Sequence, residues 1–444
     1  MRQELLFMNS SSVVTLDKIV ALCKRRGFVY PSAEIYGGLN GVYDFGYLGT
    51  LLKNNIKSAW LASIQAAKDH ILLFEGSILG PEQVWEASGH ISNFQDPMVD
   101  CLACKHRFRA DELDLNGPCP HCGKRSWTAV RQFNLMFKTY VGASSEYAMH
   151  AYLRPETAQS IFINFKNIIS TNRVKLPFGV AQIGKAFRNE ITPKQFLFRV
   201  REFEQMEMEW FCKPEAAPAD FAFWCQERKN FYTSILGLKT DNIRIRAHEK
   251  TELSHYSQET SDIEYQFPFG WKELEGIANR GDFDLTQHSS FSGKDLSYFD
   301  EAEKKSVMPY VVETSAGVGR IFLTMLFDAY HEDIIDDEVR TMLRFKPSMA
   351  PIKAAFLPLT KKQTEPMHAL FESIKKLGII VEFDESGSIG KRYRRYDEIG
   401  TPFCFTYDFD SETDQAVTVR YRDAMNQERV AIDQLEYFLK KHLI

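Results

Sequence analysis

Residues 187–211 read FRNEITPKQFLFRVREFEQMEMEWF, and the fold turns on this stretch. In a β-strand, alternate side chains face opposite sides. Counted from Val200, one face carries Glu202, Glu204, Met206, Met208 and Trp210. The other carries Arg199, Arg201, Phe203, Gln205, Glu207, Glu209 and Phe211. The Met208 and Trp210 end of the first face can pack on a core. The second face is a row of charges interrupted by aromatic rings. A solvated face of an antiparallel sheet is the ordinary reading of such a row. Arg188 and Glu190 close the preceding strand, however, and ITPKQFLF joins the two segments as a hairpin loop. A hairpin of this kind can set arginines against phosphates, a carboxylate against an amine and a ring against a base.

Outward from the hairpin, the chain reads as a large globular protein. Its 444 residues suit two or three domains. Hydrophobic residues make up 44% and charged residues 25%. A net charge of −5 excludes a protein that coats nucleic acid by global charge, so any such contact uses local patches. The first residues, MRQELLFMNSSSVV with an early Glu4, do not read as a secretory leader. No apolar run approaches the roughly 18 residues of a membrane span. Eight cysteines in such a chain favour a reducing, cytoplasmic setting.

Thr15 to Gly27 predicts an amphipathic helix, with Leu16, Ile19, Val20 and Cys23 at helical spacing and Gly27 as cap. A glycine-rich run from Tyr36 to Gly49 leads into a second helix through LLKNNIKSAWLASI. Met308 to Thr314 reads as a strand, and Val318 to Tyr330 as a helix. His331 to Pro351 is acidic, ends in two prolines and reads as a domain joint. Beyond it, IKAAFLPL, GIIVEF, PFCFTYDF and AVTVRY are strands, with helices over Lys361 to Leu377 and Asp433 to Leu443. That alternation indicates a compact α/β domain.

Several segments together carry a family resemblance. FRNE, a loop and RVREF resemble the second signature of class II aminoacyl-tRNA synthetases. ETSAGVGRIFLTMLFDAY, Glu313 to Tyr330, resembles the third, and LLKNNIKSAW with the preceding GYLG resembles the first. RPETAQ from Arg154, ELEGIANRGDFDL from Glu273 and GSIGKRYRRYDEIGTPFCFTYDF from Gly387 narrow the likeness to the homodimeric (α2) glycyl-tRNA synthetases, over nearly the whole chain. The fold so implied is an α+β catalytic core on an antiparallel sheet, with an inserted zinc ribbon and a C-terminal α/β anticodon-binding domain. The expected limits are 1–340 for the catalytic domain, about 97–128 for the insertion and 350–444 for the last domain.

The resemblance implies a two-step ligase. Glycine attacks the α-phosphate of ATP, and the adenylate then gives its glycyl group to the 3′ end of tRNA(Gly). By the motif match, Arg188 contacts the α-phosphate, Glu190 accepts from the adenine amino group and Phe203 stacks on the ring. Arg320 covers the other ring face and reaches the γ-phosphate, with Arg199 as a second candidate for it. Arginine suits these roles because its planar fork is always charged. Asn189, Phe198, Val200, Arg201, Glu202, Leu274, Gly317, Val318 and Gly319 complete the expected ATP site. Glu273 and Glu275 resemble carboxylates that hold Mg2+ on the phosphates. Glycine has no side chain to grip, so selection falls to its ammonium and to lack of room. Glu156, Glu207, Glu313 and Ser315 match the family's acidic pocket, and Arg109 matches an arginine near the substrate carboxylate. Phe203, Glu204, Gln205, Met206, Thr314, Ala316 and Gly317 are its remaining expected neighbours. No His or Cys nucleophile is required.

CLAC and CPHC place Cys101, Cys104, Cys119 and Cys122 in a CxxC-x14-CxxC pattern. Four thiolates at that spacing surround one tetrahedral Zn2+ and leave no open position, which reads as a structural site. Lys391, Arg392, Arg394 and Arg395, interleaved with Tyr393 and Tyr396, read either as a solvated helix face or as an RNA contact. Two other readings remain at this level. One is another class II synthetase, for prolyl, threonyl or histidyl transfer, against which the pocket glutamates, RPETAQ and ETSAG speak. The other is a synthetase-like accessory or RNA-binding paralogue, although Arg188, Arg199 and Arg320 are all present. Neither HIGH nor KMSKS occurs, and no P-loop motif is found.

Overall fold

The computed structural model describes residues 14–143, 149–254, 256–335 and 337–443. The stretch MRQELLFMNSSSV, read above as no leader, lies outside the described residues, as does Asp336 of the acidic run.

Seven strands build the main sheet: β1 (Ile71–Leu73), β2 (Phe178–Phe187), β3 (Glu202–Cys212), β4 (Ile243–Ala247), β5 (Glu259–Phe267), β6 (Gly270–Gly281) and β7 (Tyr310–Gly317). Their order across the sheet is β4-β5-β6-β7-β3-β2-β1. All neighbours are antiparallel except β2 with the edge strand β1. β2 and β3 are the arms of the opening hairpin, with Phe187 opposite Glu202 and Phe178 opposite Phe211. The expected alternation holds within β3. Met206, Met208 and Trp210 enter the main core, whereas Gln205, Glu207 and Glu209 face the other way. It does not extend back to Arg199. The strand starts at Glu202, and the preceding segment turns through Gln195 and Phe196, both at positive φ, into a short 3-10 turn over Phe196–Phe198.

Three helices cover the back of the sheet. Tyr47–Ala67 buries Leu52, Ile56, Trp60 and Ile64 at four-residue spacing, one stripe along one face. Val318–Ala329 is buried nearly all round because it packs against both that helix and the sheet. Ala217–Asn230 adds Phe221 and Trp224. Ahead of them, Leu16–Arg26 starts where Thr15 Oγ1 accepts from the Lys18 amide at 3.3 Å and stops at Gly27, whose φ of 71° suits glycine. The front of the sheet is covered at one end by Ala158–Ile163, Phe165–Asn172 and Phe283–Ser292, and the cleft lies over the rest of it.

The C-terminal unit has a five-stranded sheet, ordered Val381–Phe383, Ala354–Pro358, Phe403–Tyr407, Ala416–Tyr421 and Gln427–Ala431. The last strand escapes sequence reading because its QERVA segment is an exposed edge with almost no apolar pattern. The stretch read as a domain joint is not a loose connector. It folds as a hairpin, Tyr330–Ile335 with Glu338–Leu343. Arg340, fully buried, donates to Asp397 at 2.8 Å, and Asp397 also receives two bonds of 2.9 Å from Arg420. Phe345, Met349 and Ile352 share the main core with Tyr396, Ile399 and Cys404. Paired charge and apolar contact therefore fuse the two units.

Candidate active site

The cleft has an outer and an inner half. Arg188, Glu190, Phe198, Arg199, Val200, Phe203, Gly317, Gly319 and Arg320 line the outer half. Arg188 follows directly on β2. Its Nε donates to the Pro155 carbonyl at 3.1 Å, and its guanidinium lies 5.2 Å from the Phe94 ring and 5.4 Å from the Phe203 ring. Arg320 sits in the first turn of Val318–Ala329, 4.7 Å over the Phe198 ring, and pairs with Glu273 at 3.1 Å. Arg199 is held at 3.0 Å by Glu112. Burial pushes the Glu190 carboxyl up, against the pull of Arg199 and Arg188. Gly317 has an ordinary extended backbone, and a Cβ there would meet nothing nearer than 3.8 Å. Its service to the cleft is empty space rather than unusual conformation. The outer half thus presents fixed cations beside flat rings, which suits a polyphosphate joined to a base.

The inner half is acidic. His90, Glu156, Gln205, Glu207, Tyr256, Glu313 and Ser315 line it, and Gly276 and Ala278 of β6 leave it roomy. Arg188, Gln205, Glu273 and Ser315 border both halves. Gln205 Nε2 donates to Glu207 at 3.0 Å and to Ser315 at 2.7 Å, while the Thr157 hydroxyl donates to Glu207. Glu156 receives from Gln159 at 3.0 Å and lies 3.2 Å from His90 Nε2. Arg280 binds Asp284 through two bonds, of 2.7 and 2.9 Å, and also reaches Glu313. Burial and the neighbouring charges of Glu313 and Glu156 push the Glu207 carboxyl up to about 8. Glu156 goes the other way, because His90 and Arg280 outweigh its burial. A group of buried acids with few cations is a receptor for a small positive charge.

Several expected site residues do not reach the cleft. Glu275 is turned to the back of the sheet, where it pairs with Arg228 at 2.8 Å, both fully buried. The cause is a register shift: Ile263 faces Glu275, but Glu264 faces Glu273, so Leu274 and Glu275 both point backward. Met206 and Ala316 are in the main core, and Thr314 alternates with Glu313 and Ser315 to the same buried side. Glu204 is bound by Lys53 and by Lys57 at 3.2 Å, and Glu202 by Lys185 at 2.6 Å, on the face opposite Gln205. Arg201 donates to the carbonyls of Asn40 and Glu190, and the Asn189 amide to Leu135. Val318 is buried at the helix start. Arg109 is engaged by Asp96 at 2.7 Å and Asp111 at 2.7 Å and does not line the cleft. Sequence reasoning in turn passed over Arg280, Asp284, His90 and Thr157. Arg280 and Asp284 lie inside the quoted ELEGIANRGDFDL segment, and a buried pair four residues apart was the available signal.

The four motif cysteines are free, with ligand atoms mutually within 4.8 Å. Cys101 and Cys122 sulfurs lie 3.7 Å apart, as do those of Cys104 and Cys119. A tetrahedral ion with bonds of about 2.3 Å demands sulfurs about 3.8 Å apart. Each CxxC turn closes by an amide bond of 2.8 Å, Lys105 to Cys101 and Gly123 to Cys119. These residues fit one zinc ion. In the C-terminal basic cluster, Arg392 and Tyr396 are buried and Arg395 is tied to Asp384, so only part of that helix faces outward.

Comparison with known proteins agrees with this geometry. Residues 140–330 match the tRNA synthetase class II core domain (G, H, P, S and T), and residues 353–442 match the anticodon binding domain. The protein named glycine–tRNA ligase of Caldanaerobacter subterraneus subsp. tengcongensis is 50% identical, covering 97% of this chain and 99% of its own length. That of Geobacillus kaustophilus is 51% identical over the same shares. Among solved structures, prolyl-tRNA synthetase from Cryptosporidium parvum, complexed with L-proline and AMP, aligns with a TM-score of 0.67. It is 15% identical, over 98% of this chain and 79% of the other, a likeness of fold.

Proposed function

This chain belongs to the glycine–tRNA ligase family, and we propose that its cleft seats ATP in the outer half and glycine in the inner half, with their reacting ends at the shared border. The supporting observation is that border: Arg188, Gln205 and Ser315 face both halves. In this reading Arg188 lies on the α-phosphate, where the charge of the attack develops. Adenine stacks between Phe203 and Arg320, its amino group on Glu190, and Arg320 leaves Glu273 for the γ-phosphate as ATP enters. Arg199 serves the same phosphate once released from Glu112. Glu273, at the cleft mouth, would hold the magnesium that neutralises phosphate charge. Glu275 does not fit that role, because Arg228 occupies it.

Glycine's ammonium sits among Glu156, Glu207 and Glu313, with Ser315 and Gln205 beside it. Tyr256 and His90 stand beside it in the inner half as the walls that a larger side chain would meet. Catalysis is then positioning and charge stabilisation, with no covalent enzyme intermediate. Residues 1–340 form the catalytic domain, the insertion at about 97–128 carries a structural zinc, and residues 350–444 bind the anticodon end of tRNA(Gly) in the cytoplasm. Two copies pair through the first signature region, a reading supported by the exposed apolar side chains of Ile35, Tyr36, Leu39 and Tyr47. Among the described residues no helix is long and apolar enough to cross a membrane.

Amino-acid-dependent ATP–pyrophosphate exchange tests the reading. Glycine should drive exchange, alanine and serine should not, and Glu207→Gln should raise the KM for glycine. Equal exchange with alanine would overturn the assignment of the inner half.

A further inference from the structure

Glu209 has no role in the reading above, yet both oxygens of its carboxyl are buried without a hydrogen-bond partner. It sits two residues beyond Glu207 on the same face of β3, directly opposite Glu313 of β7. Oxygens of Glu207, Glu209 and Glu313 lie within 4.8 Å of one another. The next inward position on that face, Phe211, belongs to an apolar cluster with Phe162, Phe165, Phe178 and Leu285. Glu209 therefore forms the step between the acidic half of the cleft and a dry core.

Its neighbours are all partnered. Glu207 takes bonds from Thr157 and Gln205, Glu313 from Arg280, and Glu156 from Gln159 beside His90. Glu209 is fully buried, and neither of its oxygens has a hydrogen-bond partner. β2 faces it with Val180, which is uncharged. The charged groups acting on it are Glu207 on its own strand, Glu313 on β7, Arg280 on β6 and Asp284 on Phe283–Ser292, and behind these stand Glu156, Tyr256, His90 and His288. The one fixed cation among them, Arg280, is already shared by Asp284 and Glu313. A buried carboxylate with no donor and two acidic neighbours is unfavourable unless it is neutralised.

We propose that Glu209 carries a proton while the inner half is empty, and that a substrate ammonium docking on Glu207 and Glu313 expels this proton to solvent. The carboxyl O–H bond breaks heterolytically, its electron pair stays on Glu209, and the proton passes to water. The ammonium keeps all its protons and replaces the lost positive charge. Burial and the charges of Glu313 and Glu207 push the Glu209 carboxyl well up, in keeping with a neutral resting state. Glu209 is thus a positioning residue that ties affinity for the ammonium to pH. This inference rests on the proposed seat for glycine.

The direct test is calorimetry of glycine binding to the whole protein at pH 7 in phosphate and in Tris, whose ionisation heats differ. The wild type should release at least one proton per glycine, that of Glu209, with any proton shed by Glu207 added to it. Its glycine KM should fall by about tenfold or more per pH unit between pH 6.5 and 8. Glu209→Gln, which keeps shape and neutrality, should release about one proton fewer per glycine and show a shallower KM profile, leaving only what Glu207, itself raised to about 8, contributes. Glu207 is present in both proteins, so the difference between them isolates Glu209. Buffer-independent heats in the wild type, or an unchanged slope in Glu209→Gln, would overturn the proposal. If Glu207→Gln leaves the glycine KM unchanged, the seat itself is wrong. If that variant raises the KM while wild-type heats stay buffer-independent, the seat stands and only the proton link fails.

Discussion

The two faces of the main sheet handle buried charge in opposite ways. On the back, Arg228 and Glu275 form a fully buried pair at 2.8 Å. Arg228 also donates to Ser63 at 3.1 Å and lies 4.4 Å over the Phe231 ring. One cation meets one anion inside an apolar core. On the front, Glu207, Glu209, Glu313 and Asp284 cluster around Arg280 alone, beside Glu156 and His90. The balanced pair has no charge left to offer a ligand. The unbalanced group is unfavourable when empty and improves when a positive ligand arrives. Acidity alone does not set the proposed ammonium seat apart; uncompensated acidity does.

The contrast can be broken at its back face first. Arg228→Met leaves Glu275 buried without its cation and should cost roughly 3–5 kcal/mol of folding stability. Adding Glu275→Leu should recover most of that loss, because no lone charge then remains. Denaturant unfolding reads both variants, and a mild single mutant would mean the back pair is not a structural unit. On the front, Arg188→Ala should lower glycine-dependent ATP–pyrophosphate exchange by about 100- to 1000-fold. Its melting temperature should barely move, since the side chain makes one backbone bond, to Pro155. Unchanged exchange would remove Arg188 from the phosphate.

Glu207→Gln should raise the KM for glycine by about 10- to 100-fold, the loss expected for one charged partner of an ammonium, and leave that for ATP nearly unchanged. A parallel rise in both would mean that the two halves of the cleft are not separate sites. The smallest effect concerns pH. Glu207 is raised to about 8 in the folded chain, so it binds a proton that the unfolded chain has lost. The stability it contributes is full below the ordinary carboxylate range and disappears as pH rises through about 8. The ligand-free melting temperature should therefore fall by a few degrees between pH 5 and 9, and Glu207→Gln should flatten that fall. A wild-type melting temperature that rises across the interval would contradict the raised carboxyl.

Much of this was legible in the residues, because two-residue alternation is local. It put Glu207 and Glu209 on one side of β3 and Met206, Met208 and Trp210 on the other. The cap at Gly27 and the start of the helix at Val318 are likewise local chemistry. Glu275 shows where such reading stops. A single unpaired residue in β6 reverses parity, and nothing in ELEG announces it. Glu204 shows a different failing: alternation already placed it beside Met206, away from Glu207, yet motif membership drew it into the pocket. Arg280 and His90 act through partners far along the chain, Glu313 and Glu156, and only the fold brings these together. Arg392 and Tyr396 read as part of an RNA surface, but Arg392 is buried on the Pro358 and Asp384 carbonyls and Tyr396 in the main core.

In the proposed reading, a cation-and-ring half and an acidic half of one cleft hold ATP and glycine end to end. A crystal structure with glycine and a non-hydrolysable ATP analogue tests it most directly. Adenine should lie between Phe203 and Arg320, the α-phosphate on Arg188, and the ammonium within about 3 Å of Glu207 and Glu313. An ammonium bound away from those carboxylates, with the nucleotide off Arg188, would contradict it.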